Sequence, residues 1–356
     1  MTEARMPSPD ASSSGPELPG YISDVAARTA ATVAEVVVPC WPMPMAGRRN
    51  PAMNTVRRLH ERWLETSGLL ASSSALLDLQ AWEIAAYAYP DASFDVLQLG
   101  ADWTALYVHI DDYFDQGSVG NRIQTARDVT EFLRGHVDQC SHPPSGKAEL
   151  RETREAYRGL LARTRQWMTP PQVGVFNSHL ASYFDALVEE AAYREAGRIP
   201  SLEEYCRFRR FTGPMQPLID LVELSVSLRL PPGIYTRPEY LELIDATSDI
   251  TSWANDIFSA GKELARGEVH NILHVMRHHM GIPLPEAARL AVGHVRARIE
   301  QMDQPAAALA RWIKESGASP SGRQAVQTWV RALHEWQHHC AYYFGKTRYA
   351  SATVTE

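Results

Sequence analysis

An all-α architecture, folded as a single helical bundle, is what this 356-residue sequence predicts. From about residue 52 onward, apolar residues recur at steps of three and four, the period of a helix with one buried face. No run of alternating strands interrupts them, and no internal repeat is visible. Hydrophobic residues make up 45% of the chain, enough for a substantial core. One domain over 21–350 is therefore expected, between an N-terminal tail (1–20) and a C-terminal tail (351–356).

Residues 1–20, rich in Ser and Pro, have the composition of a disordered tail and lack the basic, apolar, small-residue order of a signal peptide. The run from Val25 to Val38 is interrupted by Arg28 and Glu35 and ends at Pro39, so it is too short and too polar to span a bilayer. Pro39, Pro42 and Pro44 hold Cys40 to Met45 extended, and Asn50-Pro51 can open a helix with proline in its first turn. Leu59, Trp63 and Leu64 continue that helix, and Leu76 to Tyr87 and Phe94 to Phe114 each read as one more. The segment Cys140 to Gly146, with Ser, His, Pro and Gly, is a loop. Helices then follow at about 148–168, 171–196, 201–229, 237–266, 268–280, 284–301, 304–316 and 321–346. Pro214 and Pro217 lie inside the third of these regions, 201–229, where an interior proline costs about 3 kcal/mol and kinks or breaks the helix.

A net charge of -7 with no Lys/Arg-rich run argues against a nucleic-acid partner. Cys40, Cys140, Cys206 and Cys340 are scattered without CxxC pairs, which indicates neither a zinc site nor a disulfide framework and suits a reducing cytoplasm. His278-His279 and His338-His339 are adjacent pairs whose members face different ways on a helix, so they are poor chelates.

Chemistry concentrates in two stretches. In Asn255-Asp256-Ile257-Phe258-Ser259-Ala260-Gly261-Lys262-Glu263, three oxygen-bearing side chains, Asn255, Ser259 and Glu263, stand at steps of four. Each such step turns about 40° past a full circle and rises about 6 Å, so all three share one helical stripe. Amide, hydroxyl and carboxylate oxygens suit magnesium or manganese, and Lys262 is placed to meet a phosphate on the same ion. Taken alone, the stripe also fits a solvated polar face. The second stretch is Asp111-Asp112-Tyr113-Phe114-Asp115, preceded at helical spacing by Trp103, Leu106, Tyr107 and Ile110. Its carboxylates repel one another unless a cation neutralises them, and the apolar residues before them argue against a helix start that would favour acids for other reasons.

Together these stretches resemble the two metal motifs of class I terpene synthases, specifically the bacterial single-domain type. DDYFD stands for the aspartate-rich motif and NDIFSAGKE for the more specific Asn/Ser/Glu motif. Cys206-Arg207-Phe208-Arg209-Arg210-Phe211-Thr212-Gly213 is similar to the family's diphosphate-sensing segment, with Arg209 as sensor, Arg210 as fallback, and Thr212 and Gly213 in the linker and effector places. Arg348-Tyr349 looks like its C-terminal Arg-Tyr pair.

The resemblance implies the class I terpenoid synthase bundle and a linear isoprenyl diphosphate substrate, farnesyl diphosphate first and geranylgeranyl diphosphate second. It implies a cluster of three Mg2+ ions, replaceable by Mn2+, held by Asp111 on one side and Asn255, Ser259 and Glu263 on the other. Arg209, Lys262, Arg348 and Tyr349 would donate to the diphosphate, Asp112 and Asp115 would pair with Arg209, and the helix break beside Arg209 would bring a backbone carbonyl to the substrate, with Gly213 permitting close approach. For the hydrocarbon pocket Tyr107, one turn before Asp111, comes first, with Val108 beside it and Trp82, Phe208, Trp336 and Tyr342 behind it. The enzyme would be cytoplasmic, without stable membrane association, and compatible with a homodimer. A chain-elongating prenyltransferase would carry a second aspartate-rich motif where NDIFSAGKE stands, and a class II cyclase would need DxDD and further domains. A helical scaffold without activity would be indifferent to Mg2+ and diphosphate.

Overall fold

The computed structural model describes residues 20–44, 47–115, 119–135, 149–227 and 229–344, and the regular elements among them are all helical. In chain order they are α1 (Gly20–Val37), α2 (Met53–Thr66), the single turns α3 (Leu69–Ser72) and α4 (Ala75–Asp78), α5 (Ala81–Ala88), α6 (Phe94–Asp115), α7 (Ile123–Arg134) and α8 (Glu149–Arg165). The second half comprises α9 (Pro170–Glu195), α10 (Leu202–Thr212), α11 (Met215–Ser225), α12 (Pro238–Arg266), α13 (Ile272–Met280), α14 (Leu284–Gln301), α15 (Asp303–Glu315) and α16 (Pro320–Trp336), continued by a 3-10 segment, Gln337–Phe344.

Two long helices carry the motifs. α6 buries residues on nearly every side, among them Leu97, Leu99, Trp103, Leu106, Tyr107 and Ile110, which is the pattern of a helix inside a bundle. Its interior acid, Asp102, is satisfied by His60 Nδ1 and Arg163 Nη1, each at 2.7 Å. α12 spans 29 residues and packs against α1, α10, α11, α14 and α15. The start of α10 is fixed by a capping box, in which Ser201 Oγ accepts from Glu204 N (3.2 Å) and Glu204 Oε2 accepts from Ser201 N (2.8 Å). Asn50 organises the approach to α2: its Oδ1 accepts from Ala52 N, and its Nδ2 donates to the carbonyls of Tyr89 and Ala92.

The 201–229 region is broken, as its prolines require. α10 ends at Thr212, Pro214 turns the chain (φ -75°, ψ 41°), and Met215 N donates to Gly213 O at 2.7 Å before α11 begins. Pro217 is harmless, because in the first turn of α11 its missing N–H would have had no partner. Other expectations need correction. The helix read across Leu76 to Tyr87 is split by Gln80, whose φ of 52° is left-handed. The helix expected to reach residue 346 ends at Trp336 and tightens to 3-10 geometry. α7 was not expected, and the Val25 to Val38 run belongs to a helix, α1, whose Val33 and Val37 are buried and which lies along α12 and α14. No helix among the described residues is long and apolar enough to cross a membrane. Cys40, Cys206 and Cys340 are free thiols.

Candidate active site

One wall of the site is α12. Arg209, on α10, reaches across with Nε 2.9 Å from Asp256 Oδ1 and Nη2 3.0 Å from Asn255 Oδ1, while Nη1 contacts the Thr212 hydroxyl at 3.3 Å. Asp256 is fully buried and also accepts from the Tyr205 hydroxyl (2.6 Å) and from Ile272 N (3.1 Å). Asn271 then braces the stripe, its Nδ2 donating to Glu263 Oε2 (2.8 Å) and to the Asp256 carbonyl (2.7 Å). Ser259 lies buried between them. Burial, and after it the charge of Asp256, push the Glu263 carboxyl up to about 7. Asp256 is the residue that motif spacing alone did not single out. A signal was present: Tyr205 and Arg209 are one turn apart on α10, so two donors face one acceptor.

The facing wall is the end of α6 with α9. Arg194 Nη2 stands 3.1 Å from Asp115 Oδ1, 2.9 Å from Glu268 Oε2 and 3.5 Å from Glu190 Oε1. His270 Nδ1 lies 3.5 Å from Glu190 and 3.6 Å from Glu268. Burial opposes ionisation of Glu190, yet Arg194, His270 and the more distant Arg209 together hold its carboxyl down to about 2. Glu190 thus couples the two walls electrostatically. The partner expected for Asp115 is corrected here: it is Arg194 on α9, because Arg209 is taken up by Asp256 and Asn255. Asp111 and Asp112 are half-buried beside this cluster. Arg210, the fallback sensor, turns to the other side of α10 and binds Asp249 and Asp245.

The helix break sits against α12. A Cβ on Gly213 would fall 3.0 Å from Ser252 Oγ and 3.4 Å from Arg209 Nη1, so the close approach is one that glycine permits without displacement. Thr212 is buried. Below the charged rim, Tyr107 stacks on Trp103 (5.2 Å between centroids) and meets Tyr183 edge-on (5.3 Å), and the hydroxyls of both tyrosines are buried with no hydrogen-bond partner. The remaining pocket positions are spread out. Val108 is half-buried, Trp82 lies under the Arg57 guanidinium beside His60, Phe208 is packed among Tyr193, Tyr205 and His270, and Trp336 rests on His339. The side chains of Lys262 and Tyr342, and residues Arg348 and Tyr349, lie outside the described part.

Among the described residues, no three Asp, Glu, His or Cys side chains converge as a ready-made cation cage. The donors are instead divided between two walls, and two of those on α12 are an amide and a hydroxyl. Oxygen donors on two walls, a half-buried Glu263 whose carboxyl is raised by desolvation and by Asp256, and carboxylates outnumbering Arg194 and Arg209 fit divalent cations shared with an anionic ligand. Without cations such walls would repel a diphosphate.

Residues 102–301 match the sequence profile described as terpene synthase family 2, C-terminal metal binding. Pristinol synthase of Streptomyces pristinaespiralis is 31% identical over 296 residues, covering 82% of this chain and 79% of that protein. The (+)-T-muurolol synthase of Roseiflexus castenholzii, named for cyclising (2E,6E)-farnesyl diphosphate, is 28% identical over 309 residues, covering 82% and 90%. In fold, the chain is similar to germacradien-4-ol synthase from Streptomyces citricolor (TM-score 0.71, 22% identity, 85% and 97% covered).

Proposed function

The chain belongs to the bacterial class I terpene synthase family, enzymes that cyclise isoprenyl diphosphates, and from that premise we propose a Mg2+-dependent sesquiterpene cyclase acting on farnesyl diphosphate. The observation that carries this reading is the bond from Arg209 to both Asn255 and Asp256, which ties the diphosphate-sensing segment to the Asn/Ser/Glu stripe. The name of the T-muurolol relative supports the choice of substrate.

Asp111 on α6 and Asn255, Ser259 and Glu263 on α12 would hold the cations. When bound, these supply Lewis-acid stabilisation of the departing diphosphate. Arg209, Lys262, Arg348 and Tyr349 orient that group. A diphosphate oxygen competing for the Arg209 guanidinium releases Asn255 Oδ1, so ligand binding and donor availability are linked at one side chain. Thr212 holds Arg209 in register, and Gly213 lets the chain turn close to α12. Asp112 and Asp115 tune the charge of the α6 wall, Asp115 through Arg194. Tyr107 presents an aromatic face to the allylic cation, at about 0.5–2 kcal/mol per ring. Val108, Trp82, Phe208, Trp336 and Tyr342 shape or support the surrounding wall, and 21–350 acts as one catalytic unit.

The test is to incubate the purified protein with Mg2+ and, separately, geranyl, farnesyl and geranylgeranyl diphosphates, and to analyse extracts by gas chromatography with mass detection. A cyclic C15 product from farnesyl diphosphate, lost with EDTA and in Asn255→Ala, is the expected result. A product from geranylgeranyl diphosphate alone would replace the substrate, and no product from any of the three would overturn the reading.

A further inference from the structure

Between α9 and α11 lies an acid–base pair that neither metal motif accounts for. His179 Nδ1, on α9, is 2.8 Å from Asp220 Oδ2, on α11, and the side chains are only 11% and 5% exposed. The other oxygen, Asp220 Oδ1, is buried with no hydrogen-bond partner, as is the hydroxyl of Tyr107 on α6. Beyond the effect of burial, the charge of Asp220 raises the pKa of Tyr89, Tyr107, Tyr235 and Tyr240, which come from different parts of the chain, so it lies near side chains from several elements. Other buried acids look different here: Asp102, which braces α2 and α8 against α6, and Asp256, which holds Arg209, both have each carboxylate oxygen engaged.

Position along the two helices gives the pair its meaning. At 1.5 Å per residue, His179 lies about 16 Å along α9 from Glu190 at the charged rim, and Asp220 lies about 8 Å along α11 from its first residue, Met215, beside the helix break. That is where the hydrocarbon end of a prenyl chain would rest when its diphosphate is held at the rim.

We propose that Asp220 ends the cyclisation, its Oδ1 accepting the last proton, with His179 as the positioning residue that fixes the carboxylate. This rests on the terpene cyclase reading above. The proton has two sources. A C–H bond beside the final cation breaks, its electron pair becoming the new C=C bond, or water adds through oxygen to form a C–O bond and gives up one O–H proton. In both, Asp220 gains the proton and passes it to solvent as product leaves.

The experiment compares wild type, Asp220→Asn, His179→Leu and His179→Gln with farnesyl diphosphate and Mg2+. Terpene products are measured per diphosphate released, in ordinary water and in 18O-labelled water. The share of the wild-type main product should fall at least tenfold in Asp220→Asn and in His179→Leu, in favour of products quenched earlier. His179→Gln, whose amide still donates to Asp220, should recover most of it. Labelled product in wild type assigns the proton to water and unlabelled product to the chain; with the altered ratio, either result supports the proposal. If Asp220→Asn does not fold, Asp220→Glu, which displaces the carboxylate by one methylene, should shift the same ratio. Unchanged ratios in the folded Asp220 and His179 variants would overturn it. Failure of wild type to make any terpene would instead defeat the family-based reading.

Discussion

The two walls of the site differ in how they are held. On α12, hydrogen bonds set the donors in advance: Asp256 gathers Tyr205, Arg209 and Ile272 N, and Asn271 links Glu263 back to the Asp256 carbonyl. On α6 and α9, one guanidinium, Arg194, is shared by Asp115, Glu190 and Glu268. A mixed set of amide, hydroxyl and carboxylate can satisfy itself within the protein, whereas clustered carboxylates cannot. The first wall is therefore a scaffold, and the second depends on added positive charge.

The largest effect should come from removing the keystone of the scaffold. Asp256→Ala strands a buried guanidinium, a tyrosine hydroxyl and a backbone N–H, and denaturant unfolding should show a loss of about 3–5 kcal/mol together with loss of cyclisation. Asn255→Ala sharpens the contrast, since it removes a donor without emptying the core: turnover should fall by about 10²–10³-fold with stability changed by less than about 1 kcal/mol. Comparable unfolding by both variants would mean that Asn255 is architectural as well. On the other wall, Arg194→Met should lower the melting temperature, and Mg2+ with diphosphate should recover more of that loss than they add to wild type. Asp115→Asn should be mildest, at under about 1 kcal/mol, because the Asp115 side chain is a third exposed and Arg194 keeps two other acids. A larger loss would make Asp115 part of the scaffold.

The sequence made the long elements legible because α6 and α12 carry sustained helical periodicity, and it made the break legible because Pro214 cannot continue a helix. Spacing also placed Asn255, Ser259 and Glu263 on one helix. What it did not reveal depends on the tertiary structure. Arg194 meets Asp115 across 79 residues of chain, a separation on which no local period bears. Gln80 takes a left-handed conformation that its residue type does not signal, and α1, read as an apolar run, owes its burial to α12 and α14. Asp220 and His179 are 41 residues apart, and as isolated polar residues in helical stretches they carried no motif.

The most direct test of the two-wall account is thermal unfolding of the wild-type protein with Mg2+ alone, with diphosphate alone and with both. A shared cation–diphosphate site binds the two cooperatively: both together, near a hundredfold excess over their dissociation constant, should raise the melting temperature by roughly 5 °C, each alone should do much less, and Asn255→Ala should lose most of the gain. Equal stabilisation by diphosphate without Mg2+, or an undiminished gain in Asn255→Ala, would contradict the assignment of these walls to a shared cation–diphosphate site.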